Sequence, residues 1–248
     1  MKGTELVLQA LRDRGVQYIF GYTGGAIMPV FDEMEKQQGF KFVMPRQEQG
    51  ATFMAQGLSR ASLSTDTPQI GVCMATSGPG AMNLVTGVAD AHMDSVPIVA
   101  ITGQVATGVI ATDAFQESDV VGVMMPICKQ TYMPLSAEEI EKTIHEAFYV
   151  ATTGRPGPVV IDIPKDITRP DEVFEYEYPK TVKMRSYSPA QRGHNIADDD
   201  HRLRAGGGGN QDVGEGQGLE VVEDRAALDP AHRRRGLDDR RAPALHHV

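Results

Sequence analysis

Tryptophan is absent from this chain and cysteine occurs only twice, at Cys73 and Cys128. Both cysteines sit in apolar runs, IGVCMAT and MPICKQT, which predicts buried free thiols instead of a disulfide, and a reducing compartment. No run approaches the ~20 apolar residues that span a bilayer. The opening MKGTELVLQALRDRG carries charges through its apolar positions and lacks the apolar core of a secretory leader. The expectation is a cytoplasmic chain with no membrane contact. Positive charge is also scarce: a net charge of -9 and a pI near 5.3 leave no basic face for a phosphate backbone, so nucleic acid is not an expected partner. Small molecules and protein partners remain. No internal repeat points to a solenoid, and 248 residues suffice for one large core or two small ones.

Residue usage changes abruptly inside the chain. Lysine disappears after Lys183 and Phe and Tyr after Tyr187, while Arg, Asp, Gly and His multiply and GGGG occupies 206–209. A segment with so few large apolar groups cannot offset its ordering entropy, so 188–248 is expected to be a disordered tail. Arginine standing wherever lysine stood before resembles translation in a shifted reading frame; a genuine flexible tail is the alternative. HRRRGLDDRR at 232–241 reads as solvated tail, because Asp interrupts its basic run and aromatics are lacking. The expected organisation is a domain over 1–170, a connecting segment over 171–187 and the tail over 188–248.

Within the first 187 residues, helical and strand patterns alternate. Thr4 is placed to cap ELVLQALRDRG, ended by Gly15, and VQYIFGY reads as a strand. Then come a helix over Pro29–Gln38 closed by Gly39, a short strand KFVM, a helix over Glu48–Arg60 and a buried strand QIGVCMAT. SGPG opens a helix AMNLVTGVADAHM, PIVAITG is strand-like, Ser136 is placed to cap AEEIEKTIHEAFYVATT, and PGPVVIDIP is the last strand. Continuously apolar strands alternating with helices predict an α/β fold, a doubly wound parallel sheet with helices on both faces. Its ligand belongs beyond the carboxyl ends of the strands.

Four loops follow the strands on that edge: GYTGGA, PRQEQ, ATSGPG and TGQVATGVIATDAFQE. Their glycines admit close approach of a ligand to backbone N–H groups, although any single such glycine more often makes only a turn. None of the loops matches GxxxxGK[ST] or GxGxxG, so neither a nucleoside triphosphate site nor a Rossmann dinucleotide site is indicated. Glu48 lies between a short apolar run and a small-residue helix. That context could hold a carboxylate out of water with its proton, although a first-turn glutamate favoured by the helix dipole reads the same way.

The stretch FVMPRQEQGATFMAQGLSRA, with GYTGGAIMPVFDEM before it and TSGPGAMNLVTGVADAHMDSVPIVAITGQV and TDAFQE after it, closely resembles the large catalytic subunit of acetolactate synthase. That family is thiamine-diphosphate dependent and contains FAD. The resemblance runs from about Gly3 to Asp166 and stops beyond Tyr187. It implies that Glu48 hydrogen-bonds N1′ of the cofactor's aminopyrimidine and promotes the imino tautomer that removes the thiazolium C2 proton. It further implies that Tyr22, Gly24, Gly25 and Ala26, with Thr76, Pro79 and Asn83, line the pyrimidine end. Phe115 and Gln116 would lie near the second substrate, and Arg155 and Lys165 near the flavin and the mouth of the site.

Three departures from the family pattern accompany it. Thr23 replaces a usual Pro, Gln47 replaces a frequent His, and MMPICKQ at 124–130 lacks the usual Arg and His. No GDG followed some thirty residues on by Asn occurs, and in this family that motif holds Mg²⁺ and diphosphate. The resemblance therefore implies the pyrimidine-binding half of an active site that condenses 2-oxo acids with loss of CO₂, inactive alone. The family's homodimeric or larger assembly, and its regulatory small subunit, would supply the partners. The alternatives are a non-catalytic interaction module of the same fold, or a related thiamine enzyme such as a sulfoacetaldehyde or oxalyl-type lyase.

Overall fold

The structure is a computed structural model that describes residues 1–189 except 38, 64, 66, 169–172, 177, 178, 180, 181, 183, 185 and 186. The tail expected over 188–248 thus falls almost wholly outside the described residues. Six strands, β1 (Tyr18–Gly21), β2 (Lys41–Val43), β3 (Gly71–Ala75), β4 (Ile98–Gln104), β5 (Gln130–Tyr132) and β6 (Val159–Pro164), form one sheet in the order β2-β1-β3-β4-β6-β5. Every pairing is parallel, with Phe20 opposite Cys73, Cys73 opposite Ala100 and Ala100 opposite Val160 across its centre.

The four central strands, β1, β3, β4 and β6, are largely apolar because each buries both of its faces, whereas the edge strands β2 and β5 are partly exposed. Ile19, Val72, Met74, Val99, Ile101, Val159 and Ile161 point into one core, which α1 (Gly3–Asp13), α2 (Met28–Gln37) and α7 (Glu138–Thr152) cover with Leu6, Leu11, Val30, Ile140, Ile144 and Phe148. Their neighbours Phe20, Cys73, Ala75, Ile98, Ala100 and Val160 point into a second core. That core is covered by α3 (Glu48–Ser62), α4 (Pro79–Asn83), α5 (Val85–Met93) and α6 (Val120–Met124), which bring Ala51, Ala55, Ala81, Leu84, Val88 and Met124. The period of two along each strand divides the apolar side chains between the layers. Small residues on α3 let it lie close on the sheet, and the doubly wound fold read from the sequence is the one observed.

Several local expectations need correction. Thr4 lies inside α1 and is buried; the cap residue is Lys2, whose backbone N–H donates to the Glu5 carboxylate at 3.0 Å. Ser136 does not cap α7, which begins after Ala137 without a side-chain cap. The segment AMNLVTGVADAHM is two short helices, α4 and α5, interrupted at Leu84. Helix α6 and strand β5 had no sequence expectation. Both cysteines are free and buried as expected, and burial pushes the Cys73 thiol up to about 12 and Cys128 to about 11, so neither is poised as a thiolate.

Past β6 the chain strap returns over the first core, where Phe174, Tyr176, Met184 and Tyr187 pack. Phe174 pairs its backbone with Met1, and the Tyr187 hydroxyl donates to the Thr153 carbonyl at 2.9 Å. Among the described residues no helix is long and apolar enough to cross a membrane.

Candidate functional site

The strand order reverses direction between β1 and β3: β2 lies to one side of β1 and every later strand to the other. At such a switch point the loops leaving the carboxyl ends diverge and open a crevice. Here the β1–α2 loop carries Tyr22, Gly24, Gly25 and Ala26, and the β3–α4 loop carries Thr76, Gly78, Pro79 and Gly80. The two loops interlock through Thr76, whose Oγ1 accepts the Ala26 N–H at 3.2 Å. A Cβ on Gly24 would stand 2.5 Å from the Thr76 side chain, so the close approach requires glycine there. Gly25 has open space where a Cβ would stand, and Tyr22 is 39% exposed beside it in the sequence.

Glu48 is the first residue of α3, five residues beyond the end of β2. Its Oε2 accepts from Asn83 Nδ2 at 2.9 Å, and its Oε1 lies 3.4 Å from where a Cβ on Gly80 would stand. The pair Glu48 and Asn83 thus ties the start of α3 to the end of α4 beside Gly80. The apolar enclosure expected for this carboxylate is not what the domain builds. Glu48 is half-buried, and its apolar neighbours Met44, Phe53 and Met54 are 58%, 43% and 40% exposed and turn outward instead of covering it.

The loop between β4 and α6 closes against the same turn. Gly78 has a φ of 55°, and the Gln116 carbonyl oxygen lies 2.5 Å from where its Cβ would be. Phe115 is 88% exposed on this loop. Three residues with side chains, Ala111, Asp113 and Gln116, hold φ between 59° and 65°. The Glu117 carboxylate accepts the Ala111 and Ala114 N–H groups, which holds it below the usual carboxylate range. Asp166 accepts both the backbone N–H and the hydroxyl of Thr107.

Not all expected residues meet. Glu48, Tyr22, Gly24, Gly25, Ala26, Thr76, Pro79, Asn83, Phe115 and Gln116 belong to loops on one edge. Lys165, the exposed residue that follows β6, shares that edge at a distance of two further strands. Arg155 precedes β6 and lies at the opposite edge, where its guanidinium donates to Ser95 Oγ at 2.7 Å and to the Met93 carbonyl at 3.1 Å, closing the C-terminus of α5. Among the described residues no group of three or more His, Cys, Asp or Glu could hold a metal ion. A cavity of about 440 Å³ beside α2 and β2, lined by Phe31, Met34, Phe40 and Phe42, reaches the loop cluster only at Thr23.

A set of residues behind the loops had no sequence expectation. Asp162, 1% exposed in the centre of β6, accepts from Thr102 Oγ1 at 2.6 Å and from Gln104 Nε2 at 2.8 Å. Burial is the main cause that pushes its carboxyl up to about 7, with the charge of Asp119 adding to it and the two hydrogen bonds opposing it. The signal was an aspartate inside the apolar VVIDIP.

Residues 1–123 match the family described as thiamine pyrophosphate enzyme, N-terminal TPP binding domain. Over 194 residues, 78% of this chain, the sequence is 46% identical to the acetolactate synthase large subunit of Haemophilus influenzae and 46% identical to the acetolactate synthase isozyme 3 large subunit of Escherichia coli. It is 45% identical over the same length to the large subunit IlvB1 of Mycobacterium tuberculosis. The match covers 33% of the first two relatives and 30% of the third, so the chain spans about a third of the length of the relatives it resembles.

Proposed function

Because this domain belongs to the thiamine pyrophosphate enzymes, as their N-terminal binding domain, we propose that the chain supplies the pyrimidine-binding half of an acetolactate synthase active site, with Glu48 as its proton-handling group. The observation that carries this reading is the position of Glu48 across the switch point. One carboxylate oxygen is held by Asn83 and the other faces Gly80. The donor set suits the pyrimidine end of thiamine diphosphate: a carboxyl can share a proton with a ring nitrogen, and the open space beside Gly25 leaves room for a flat ring. When bound, that cofactor supplies a nucleophilic carbon able to add to 2-oxo acids.

The roles of the chain's own residues follow from their places. Glu48 holds a proton at the ring nitrogen N1′, and Asn83 fixes the carboxylate so that the other oxygen faces the ring. Gly24, Gly25, Gly80 and Ala26 admit the ring, with Tyr22, Thr76 and Pro79 around it. Phe115 and Gln116, exposed on the loop packed against Gly78, face the 2-oxo acids and bear on which one is accepted. Lys165 stands at the rim. Arg155, fixed at the far edge, is assigned to the shell that meets a flavin domain. Mg²⁺, the diphosphate and FAD are assigned to other domains of the assembly, since this chain spans only a third of its relatives.

Assembly is part of the reading. The outward stripe of α3 carries Phe53, Met54 and Gly57 at helical spacing, with open space where a Cβ on Gly57 would stand. That face suits a second copy of the chain, and it lies on the helix that begins with Glu48. A homodimer or larger homo-oligomer in the cytoplasm, with a regulatory small subunit, is the proposed setting. The domain is assigned to 1–170 and the connection to 171–187.

A graft tests the proposal. Residues 1–187 of this chain replace the matching third of the Escherichia coli isozyme 3 large subunit, and acetolactate is measured from pyruvate. Activity that depends on Glu48 supports the reading. A folded graft that binds thiamine diphosphate yet is as active with Glu48→Gln as without it removes Glu48, and a folded graft that neither binds nor turns over removes the function.

A further inference from the structure

We propose that Gln104 and Asp162 are positioning residues that clamp the two ends of the 105–118 loop, and with it Phe115 and Gln116, against the β3–α4 turn. One side chain does the joining. Gln104 Oε1 accepts the Val105 N–H at 2.8 Å where the loop leaves β4, and its Nε2 donates to the Ser118 carbonyl at 2.9 Å where the loop returns. The second Nε2 hydrogen goes to Asp162 Oδ2 at 2.8 Å. Both donor hydrogens and the acceptor are thereby used, which fixes the rotamer of a residue only 3% exposed.

Asp162 is what holds Gln104. Its other oxygen takes the Thr102 hydroxyl, and it is buried with no cation beside it among the described residues; the charged group that bears on it is Asp119, of like sign. Burying a carboxylate this way is unfavourable unless its lone pairs are met. An apolar residue would serve the sheet better, so the position is explained by the hydrogen bond it accepts from Gln104.

The loop has need of a clamp. Ala111, Asp113 and Gln116 adopt left-handed backbone conformations that disfavour a Cβ, and none of the loop's 14 residues is fully buried. Its other ties, Glu117 to the Ala111 and Ala114 N–H groups within the loop and Asp166 to Thr107 from beyond β6, shape it but do not join its ends. The Gln104 side chain does. The role of Phe115 and Gln116 in choosing a substrate rests on the function proposed above; the clamp does not.

Amide hydrogen exchange on the full chain reads the clamp directly. Gln104→Met keeps the side-chain length and removes every polar contact, and amides of 105–118 are expected to exchange about tenfold faster, the equivalent of one lost hydrogen bond. Those of β3 and α7 are expected to stay at wild-type rates. Gln104→Glu keeps an acceptor for Val105 but loses the donors and faces Asp162, so the loop is expected to open likewise. If Gln104→Met fails to fold, Asp162→Leu decides, since it leaves the Gln104 Nε2 group without its acceptor on β6. Wild-type protection of the loop in a folded variant, or an acceleration spread evenly over the sheet, overturns the proposal. A graft whose product ratio ignores Gln116→Ala while the clamp variants still open the loop would sink the substrate role alone.

Discussion

Glu48 has two differently occupied oxygens, and that asymmetry sets the first expectation. In the grafted enzyme, Glu48→Gln should slow hydrogen–deuterium exchange at the cofactor C2 by ~10²–10⁴-fold, because an amide cannot hold and release the proton. Proton NMR of C2 checks it, and an exchange rate equal to that of the parent would exclude the role. Asp162 yields an expectation about pH. Its raised carboxyl keeps a proton in the folded chain at pH values where the unfolded chain has released it. This contribution to stability is therefore full below the ordinary range near 3.8 and is lost as pH rises through about 7. Its upper size is about 4 kcal/mol, from roughly three pH units at 1.36 kcal/mol each. Urea midpoints at pH 5 and 8 should fall with pH, with a flatter slope in Asp162→Asn; an unchanged slope would exclude it. At this scale the sequence was informative where loop order followed motif order, as with Glu48, Thr76 and Asn83. It was silent on Gln104, since a glutamine at a strand end looks polar and ordinary until the strand beside it is known. The sequence also did not show that Arg155 lies at the opposite sheet edge, because a place in a motif says nothing of which edge a residue occupies.

Elements were legible in proportion to the apolar side chains they bury. The four central strands and α1, α2, α3 and α7 announced themselves by pattern, whereas β5, QTY, is a three-residue edge strand with little to bury and therefore no period to read. The break at Leu84 escaped notice because α4 and α5 share one apolar pattern across it. Two element-level outcomes are expected. Gly78→Ala places a Cβ against the Gln116 carbonyl at a left-handed φ, which costs about 1–2 kcal/mol for the backbone alone. Urea denaturation should show at least that loss, and more if the 105–118 loop cannot move aside; an unaffected midpoint would mean that the turn adopts another backbone conformation. Tyr187 anchors the returning strap through Thr153 and Lys129, the latter also donating to the Thr153 carbonyl at 2.8 Å. Tyr187→Phe should lower stability by about 1 kcal/mol. A full-length chain as stable as the parent would mean the strap contributes nothing to the domain.

The whole chain, taken alone with thiamine diphosphate, Mg²⁺ and pyruvate, is expected to make no acetolactate. A net charge of -9 repels the diphosphate, and among the described residues no metal-holding cluster is there to screen it. Calorimetry and a pyruvate-consumption assay check this; turnover above background would mean the chain carries a diphosphate site of its own. The doubly wound plan was legible from alternation alone, because a sheet buried on both faces admits few other arrangements. The taper of that sheet was not. Its centre is β4, seven residues long, and it thins to three residues at β2 and three at β5. Unpaired strand edges are templates on which other chains can add, and short, polar ones are poor templates. Lys41 on one rim and Gln130 and Thr131 on the other therefore make both ends of the sheet poor sites for edge-to-edge stacking into fibrils, even though α3 exposes Phe53 and Met54.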